Sequence, residues 1–186
     1  MPQFGWFVDL RRCVGCHACS IACKAEQNTA PVLSPLTVRH GRAVGVNYRQ
    51  VVTVDQGTYP AVTRTFVTMA CNHCESPACL LSCPVAAISK DAVTGLVQID
   101  QSACIGCRYC QWACPYGAPQ FNEETRKVEK CTGCVHRVSA GLEPACVTSC
   151  PSRALTFTTD WAPTPSVPPD GFADASLTNP SITFRR

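Results

Sequence analysis

The sequence predicts an α+β chain with little regular secondary structure, organised around its cysteines rather than a large apolar core. Three observations predict it. Sixteen of the 186 residues are cysteine, and they fall into four groups of four. Residues 24 to 70 hold no cysteine and alternate apolar and polar side chains in three stretches. Beyond about residue 158 the chain turns rich in proline, at 163, 165, 168, 169 and 180.

Taken in chain order, a short helix is expected from Ala18 to Gln27, carrying the end of the first cysteine group. The stretches Leu36 to His40, Val51 to Val54 and Thr63 to Val67 have the two-residue period of half-buried strands. Gly41, Gly45 and Gly57 supply turns between them. This is a small β insertion. Further helical turns are expected near Ala78–Cys83, Tyr109–Cys114 and Glu143–Cys150, with a turn at Asp91 to Gly95 leading into the strand-like Leu96 to Asp100. The proline-rich end reads either as a loose tail or as an extended arm. The arm is favoured, laid across a partner and anchored by Trp161, Phe172 or Phe184, because such segments lose little entropy on docking.

Composition excludes several functions. No run of about 18 apolar residues occurs, so no membrane span is expected. The most apolar stretch, Ala78 to Ile88, is interrupted by Ser82, Cys83 and Pro84. The opening residues lack a basic start followed by an apolar run, so no export signal is expected there, and Arg11-Arg12 leads into cysteines instead. The formal charge of +3 is offset once the thiols hold metal, at roughly −2 per iron–sulfur cluster, which removes the support for nucleic-acid binding.

The spacing identifies the metal chemistry. Cys13, Cys16, Cys19 and Cys23 follow C-x2-C-x2-C-x3-C, and Cys104, Cys107, Cys110 and Cys114 repeat it. Cys71, Cys74, Cys79 and Cys83 widen the middle gap to four residues, and Cys131, Cys134, Cys146 and Cys150 widen it to eleven. Proline follows the last cysteine in three groups, at 84, 115 and 151, and Lys24 follows it in the first. Three close cysteines on one tight loop can grip three corners of an iron–sulfur cubane. The fourth, three residues further along, reaches the other cluster of a pair, as in bacterial two-cluster ferredoxins. Zinc sites use two separated C-x2-C pairs. The fourth group alone suits that pattern, whereas the runs of three do not, and a framework of eight disulfides is disfavoured for the same reason.

Self-similarity extends beyond the cysteines. The phrase Cys83-Pro84-Val85-Ala86-Ala87-Ile88 recurs in altered form at Cys114-Pro115-Tyr116-Gly117-Ala118 and at Cys150-Pro151-Ser152-Arg153-Ala154-Leu155. Val8-Asp9-Leu10 before Cys13-Val14-Gly15-Cys16, Ala22-Cys23-Lys24-Ala25-Glu26 and Cys71-Asn72-His73-Cys74-Glu75-Ser76-Pro77-Ala78-Cys79 carry a further likeness. So do Lys130-Cys131-Thr132-Gly133-Cys134-Val135-His136-Arg137, Pro144-Ala145-Cys146-Val147-Thr148-Ser149-Cys150-Pro151 and, weakly, Thr178-Asn179-Pro180-Ser181. From roughly position 5 to 158 the chain resembles the four-cluster iron–sulfur subunit of the dimethyl sulfoxide reductase and polysulfide reductase family of molybdopterin enzymes.

The resemblance implies four [4Fe–4S] clusters with four ligand sets. Cys13, Cys16 and Cys19 would take Cys150, and Cys131, Cys134 and Cys146 would take Cys23. Cys71, Cys74 and Cys79 would take Cys114, and Cys104, Cys107 and Cys110 would take Cys83. It also implies two ferredoxin-like two-cluster modules, one inserted in the other. The outer module would span 1–30 and 125–158, the β insertion 31–68, the inner module 69–124 and the C-terminal arm 159–186. The clusters are expected to nucleate the fold, leaving the apo chain largely unfolded.

The implied function is electron relay between a molybdopterin (molybdenum or tungsten) catalytic subunit and an integral membrane quinone-reactive subunit, with the chain peripheral on the prokaryotic cytoplasmic membrane. A soluble ferredoxin-type carrier, or an iron–sulfur subunit of a hydrogenase or formate dehydrogenase system, is the alternative. No nucleophile–base pair, phosphate loop or paired-carboxylate site is visible, so the chain is not expected to be an enzyme by itself. His17, His73 and His136 lie beside cysteines, yet four thiols per cluster leave no vacancy, so hydrogen bonding or tuning is their expected role. Arg11, Arg12, Lys24, Arg108 and Lys130 either balance cluster charge or stay solvated. Tyr109, Trp112 and Tyr116 are expected to pack and exclude solvent. Gly15, Gly106 and Gly133 are expected to bring backbone amides close to the sulfides.

Overall fold

The computed structural model describes residues 3–29, 38–39, 42–43 and 45–186. Strand β1 (Gly5–Asp9) lies at the centre of a three-stranded sheet. On one side it pairs antiparallel with β10 (Leu155–Thr158), and on the other it pairs parallel with β11 (Ile182–Arg185). The alternation expected of a half-buried strand is visible in β1, where Trp6 and Val8 point into the main apolar core and Phe7 and Asp9 are less buried. Leu10, Val67, Leu96, Leu155, Ile182 and Phe184 belong to that core, together with Val147 and the cysteines Cys19 and Cys146.

Helix α1 (Ala18–Gln27) occupies its expected range. The insertion forms a long hairpin, β4 (Arg49–Gln56) with β5 (Thr63–Ala70), in register from Arg49↔Ala70 to Gln56↔Thr63. Of the strand expected over 36–40, only β2 (Val38–Arg39) lies among the described residues, paired with β3 (Arg42–Ala43). Leu36, Thr37, His40 and the Gly41 turn lie outside them.

The remaining elements are short. They run α2 (Ala78–Leu81), β6 (Ile88–Lys90), β7 (Val97–Ile99), α3 (Tyr109–Ala113), β8 (Gln120–Asn122), β9 (Lys127–Glu129), α4 (Val135–Val138) and α5 (Ala145–Thr148). β6 pairs with β7 and β8 with β9 as separate antiparallel hairpins. The turn at Asp91 is closed by its carboxylate, which accepts from the amides of Val93 and Thr94. Helix α1 packs on α5, and α2 on α3. Helix α4 was not expected, because its four residues show no period.

The C-terminal segment corrects the sequence reading. Instead of extending away as an arm, it folds back onto its own chain. Trp161 packs on the face of Gly5, where a Cβ would meet its ring at 2.3 Å, and its amide donates to the Gln3 carbonyl at 2.7 Å. Phe172 stacks on Tyr116 and meets Phe184 edge-on at 5.0 Å. All three expected anchors are thus used, internally. The physical reason is that β1 has an open edge whose amides and carbonyls need partners, and β11 supplies them.

Tyr109 and Trp112 are a second correction. They are 52% and 75% exposed and lie against each other at 6.1 Å, so they exclude little solvent. Helix α3 is a single short element that leaves both rings largely open. Tyr116 does pack, with its hydroxyl 2.9 Å from that of Thr178.

Candidate metal centres

Each cysteine group begins on a loop with one recurring backbone feature. The residue two positions after the first cysteine has a positive φ in all four: Gly15 at 69°, His73 at 44°, Gly106 at 71° and Gly133 at 67°. Left-handed residues between ordinary ones turn successive amides to one side and form a concave anion-binding nest. Glycine adopts this shape without a Cβ penalty, which explains three of the four positions. Gly133 is also crowded, because a Cβ there would lie 2.7 Å from a Leu96 methyl. Its amide donates to Cys131 Sγ at 3.3 Å.

Short helices then carry the later cysteines. Cys19 and Cys23 lie one turn apart on α1, both buried. Cys79 is on α2, Cys110 on α3 and Cys146 on α5, each buried. Cys83 and Cys150 follow their helices, and Cys114 ends α3 in an extended conformation. Cys71, Cys74, Cys13 and Cys16 sit on the loops, Cys104 and Cys107 on the third loop, and Cys131 and Cys134 after β9. None of the sixteen forms a disulfide.

The tertiary fold brings cysteines of different groups together. One pocket is lined by Cys13, Cys16, Cys19 and Cys150. Another is lined by Cys71, Cys74, Cys79 and Cys114. Elsewhere Cys23 interacts electrostatically with Cys146 and Cys134, Cys131 with Cys23 and Cys146, and Cys110 with Cys104, Cys107 and Cys83. Burial makes Cys13, Cys23, Cys74, Cys79, Cys110, Cys114, Cys131 and Cys134 hard to ionise, whereas at Cys150 hydrogen bonds from the Leu155 amide and Ser152 outweigh burial and lower the pKa. Burial first and Cys146 next push Cys23 up to about 12, and burial with Cys71 pushes Cys79 up to about 12. Cys74 and Cys110 are pushed up to about 11, chiefly by burial. Cationic iron reverses that balance, since metal binding replaces the thiol protons.

A further observation fits an iron–sulfur cluster: the buried N–H groups Arg49 Nε, Asn72 Nδ2 and His73 Nε2 have no protein partner. Sulfides and thiolates of a bound cluster are acceptors of the kind they lack.

The three histidines that neighbour cysteines have different settings. His73 is fully buried, accepts the Val97 amide on Nδ1 at 2.9 Å and stacks on Trp6. Burial, with Lys130, Lys90 and Arg49 nearby, holds its pKa well below the usual range, so the ring is neutral with its proton on Nε2. His136 lies 2.7 Å from Glu26. His17 caps α1 in a left-handed conformation. Among the basic residues, Lys130 is buried and donates to the carbonyls of Val97 and Cys131. Lys24 donates to Val46 at 3.0 Å, Arg108 covers the Phe121 ring, and Arg11 stays exposed beside Asp9.

Sequence reading missed Arg49 and Thr68. Both lie on the β hairpin, with no cysteine nearby in sequence to the first and two residues between the second and Cys71, and nothing in their local pattern marks them. Arg49 Nη1 donates to Thr68 Oγ1 at 3.0 Å, and that hydroxyl lies 3.4 Å from Cys19 Sγ.

Cysteine-lined centres on nested amides, in a scaffold of short hairpins and helical turns, define an iron–sulfur electron-transfer protein. The family model for the 4Fe-4S dicluster domain matches residues 62–160. An anaerobic dimethyl sulfoxide reductase chain from Escherichia coli (strain K12) is 43% identical over 156 residues, covering 83% of this protein and 73% of that one. A sulfite dehydrogenase subunit from Allochromatium vinosum is 38% identical over 166 residues, covering 84% and 69%. A tetrathionate reductase subunit from Salmonella typhimurium is 39% identical over 148 residues, covering 80% and 54%. The chain belongs to the family of iron–sulfur subunits of the dimethyl sulfoxide reductase type of molybdopterin oxidoreductase. It is an electron-transfer subunit, and its cofactors are four [4Fe–4S] clusters.

Proposed function

We propose that the chain relays electrons between a molybdopterin catalytic subunit and a membrane quinone-reactive subunit, through four clusters held by cross-lent cysteines. The sets are Cys13/Cys16/Cys19/Cys150, Cys23/Cys131/Cys134/Cys146, Cys71/Cys74/Cys79/Cys114 and Cys83/Cys104/Cys107/Cys110. The carrying observation is that two pockets each gather three cysteines of one group and the last cysteine of another. The packing of α1 on α5 and of α2 on α3 supports two nested ferredoxin-like modules, because these helices deliver the lent cysteines.

When bound by these cysteines, a cluster would supply one-electron transfer. The chain's own residues hold the sulfurs in place and present amides to them. The relatives named above are subunits of reductase or dehydrogenase complexes, which supports a catalytic partner for this chain. No helix among the described residues is long and apolar enough to cross a membrane, so attachment to the cytoplasmic membrane would run through another subunit.

Two measurements test this reading. The chain purified from its native membranes should bring a molybdenum- or tungsten-containing subunit with it; a lone chain without either metal favours the soluble carrier. Cys114→Ser should alter the electron paramagnetic resonance signal that Cys74→Ser alters, and not the one changed by Cys107→Ser. The opposite pairing refutes the cross-lent sets.

A further inference from the structure

Arg49 is the first residue of β4, opposite Ala70, and only 3% of it is exposed. Its Nη1 is held by Thr68, its Nε has no partner, and among the described residues no carboxylate forms an ion pair with it. A buried, unpaired guanidinium is strongly unfavourable, so a counter-charge is required. The groups acting on it electrostatically are the sulfurs of Cys146, Cys131, Cys19 and Cys23. Cys19 belongs to one outer set, and Cys23, Cys131 and Cys146 belong to the other. Thr68 bridges the guanidinium to Cys19 directly.

We propose that Arg49 is a shared positioning residue for the two outer clusters, whose fixed positive charge raises both of their reduction potentials. The inference rests on the ligand sets proposed above. A cation held in a low-dielectric interior stabilises the more negative, reduced state of a neighbouring centre. Guanidinium does not deprotonate in proteins, so the tuning is insensitive to pH. One charge between two centres serves both, whereas the inner set that holds Cys79 has Lys130 as its buried cationic neighbour.

The test is a redox titration of the full chain in its native complex, followed by electron paramagnetic resonance, with iron and acid-labile sulfide measured alongside. Cys16→Ser and Cys134→Ser mark the signals of the two outer sets. Arg49→Gln should lower the reduction equilibrium of both marked clusters by about tenfold or more, about 59 mV for one electron, leaving the inner two in place. Arg49→Lys keeps the charge and should recover most of the shift. Marked signals that stay put in fully loaded Arg49→Gln overturn the proposal, while the ligand sets stand. Shifts in two signals other than the marked ones overturn the ligand sets instead. If Arg49→Gln fails to load the outer clusters, Arg49→Lys decides: wild-type potentials uphold the role, and lost clusters or shifted potentials assign Arg49 to packing and end it.

Discussion

Replacing Phe184 by alanine tests whether the C-terminal strand is part of the core. The ring is 1% exposed and sits opposite Val8 in the parallel pairing of β1 with β11. Its amide donates to Ser166 Oγ at 2.9 Å and its carbonyl accepts the Val167 amide at 3.0 Å. Truncating a buried phenylalanine costs about 3–5 kcal/mol. Losing the edge-on contact with Phe172 accounts for about 0.5–1.5 kcal/mol of that. Phe172 is only partly buried and can swing into the space, so the lower end applies, about 3 kcal/mol. At about 1.4 kcal/mol per tenfold, the closed state of the sheet loses more than about 100-fold.

β1 leads directly into the first cysteine loop, so the loss should reach Cys13. Unfolding with cluster loss is irreversible, and the appropriate observable is a rate. Bleaching of the cluster absorbance on heating should accelerate in Phe184→Ala, and amides of β1 should exchange hydrogen faster. Val167→Ala, at a position 51% exposed, is the control and should change stability by less than about 0.5 kcal/mol. Identical bleaching and exchange in the two variants would refute the packing of the tail as a core element.

Gly133→Ala forces a side chain into a left-handed residue and against Leu96, and should cost about 1–3 kcal/mol, read as lower iron content and a lower melting temperature. Trp112→Ala should leave stability within about 0.5 kcal/mol and iron unchanged, since the indole is exposed; a large drop in melting temperature would restore a packing role. Glu26 ties α1 to α4, with its carboxyl held below the usual range by the His136 hydrogen bond and by Arg137. Its folded pKa is depressed, so the tie contributes above the unfolded value and is lost as pH falls through the folded one. Glu26→Gln should therefore flatten the acid-side rise in α4 hydrogen exchange. Iron chelation under reducing conditions should collapse the far-ultraviolet dichroism along with the visible colour; retained dichroism would show a fold independent of its clusters.

Local chemistry was legible in the residues themselves. The x2 and x3 spacings identify a cubane because loop and first helical turn are properties of a few consecutive residues. For the same reason α1 falls on Ala18–Gln27, and β4 and β5 contain the alternating stretches read from the sequence. The family resemblance rests on the same short phrases.

Long-range packing was not legible. The pairing of Ile182–Arg185 with β1 joins segments more than 170 residues apart, and a proline-rich approach hides the four residues that make it. The exposure of Trp112 depends on which element fails to cover α3, and the burial of Arg49 on where a hairpin lands. Spacing along a chain dictates what its near neighbours can grip. What a distant side chain meets is decided by which surfaces the packed chain presses together, as where Arg49 meets Thr68 and, through it, Cys19.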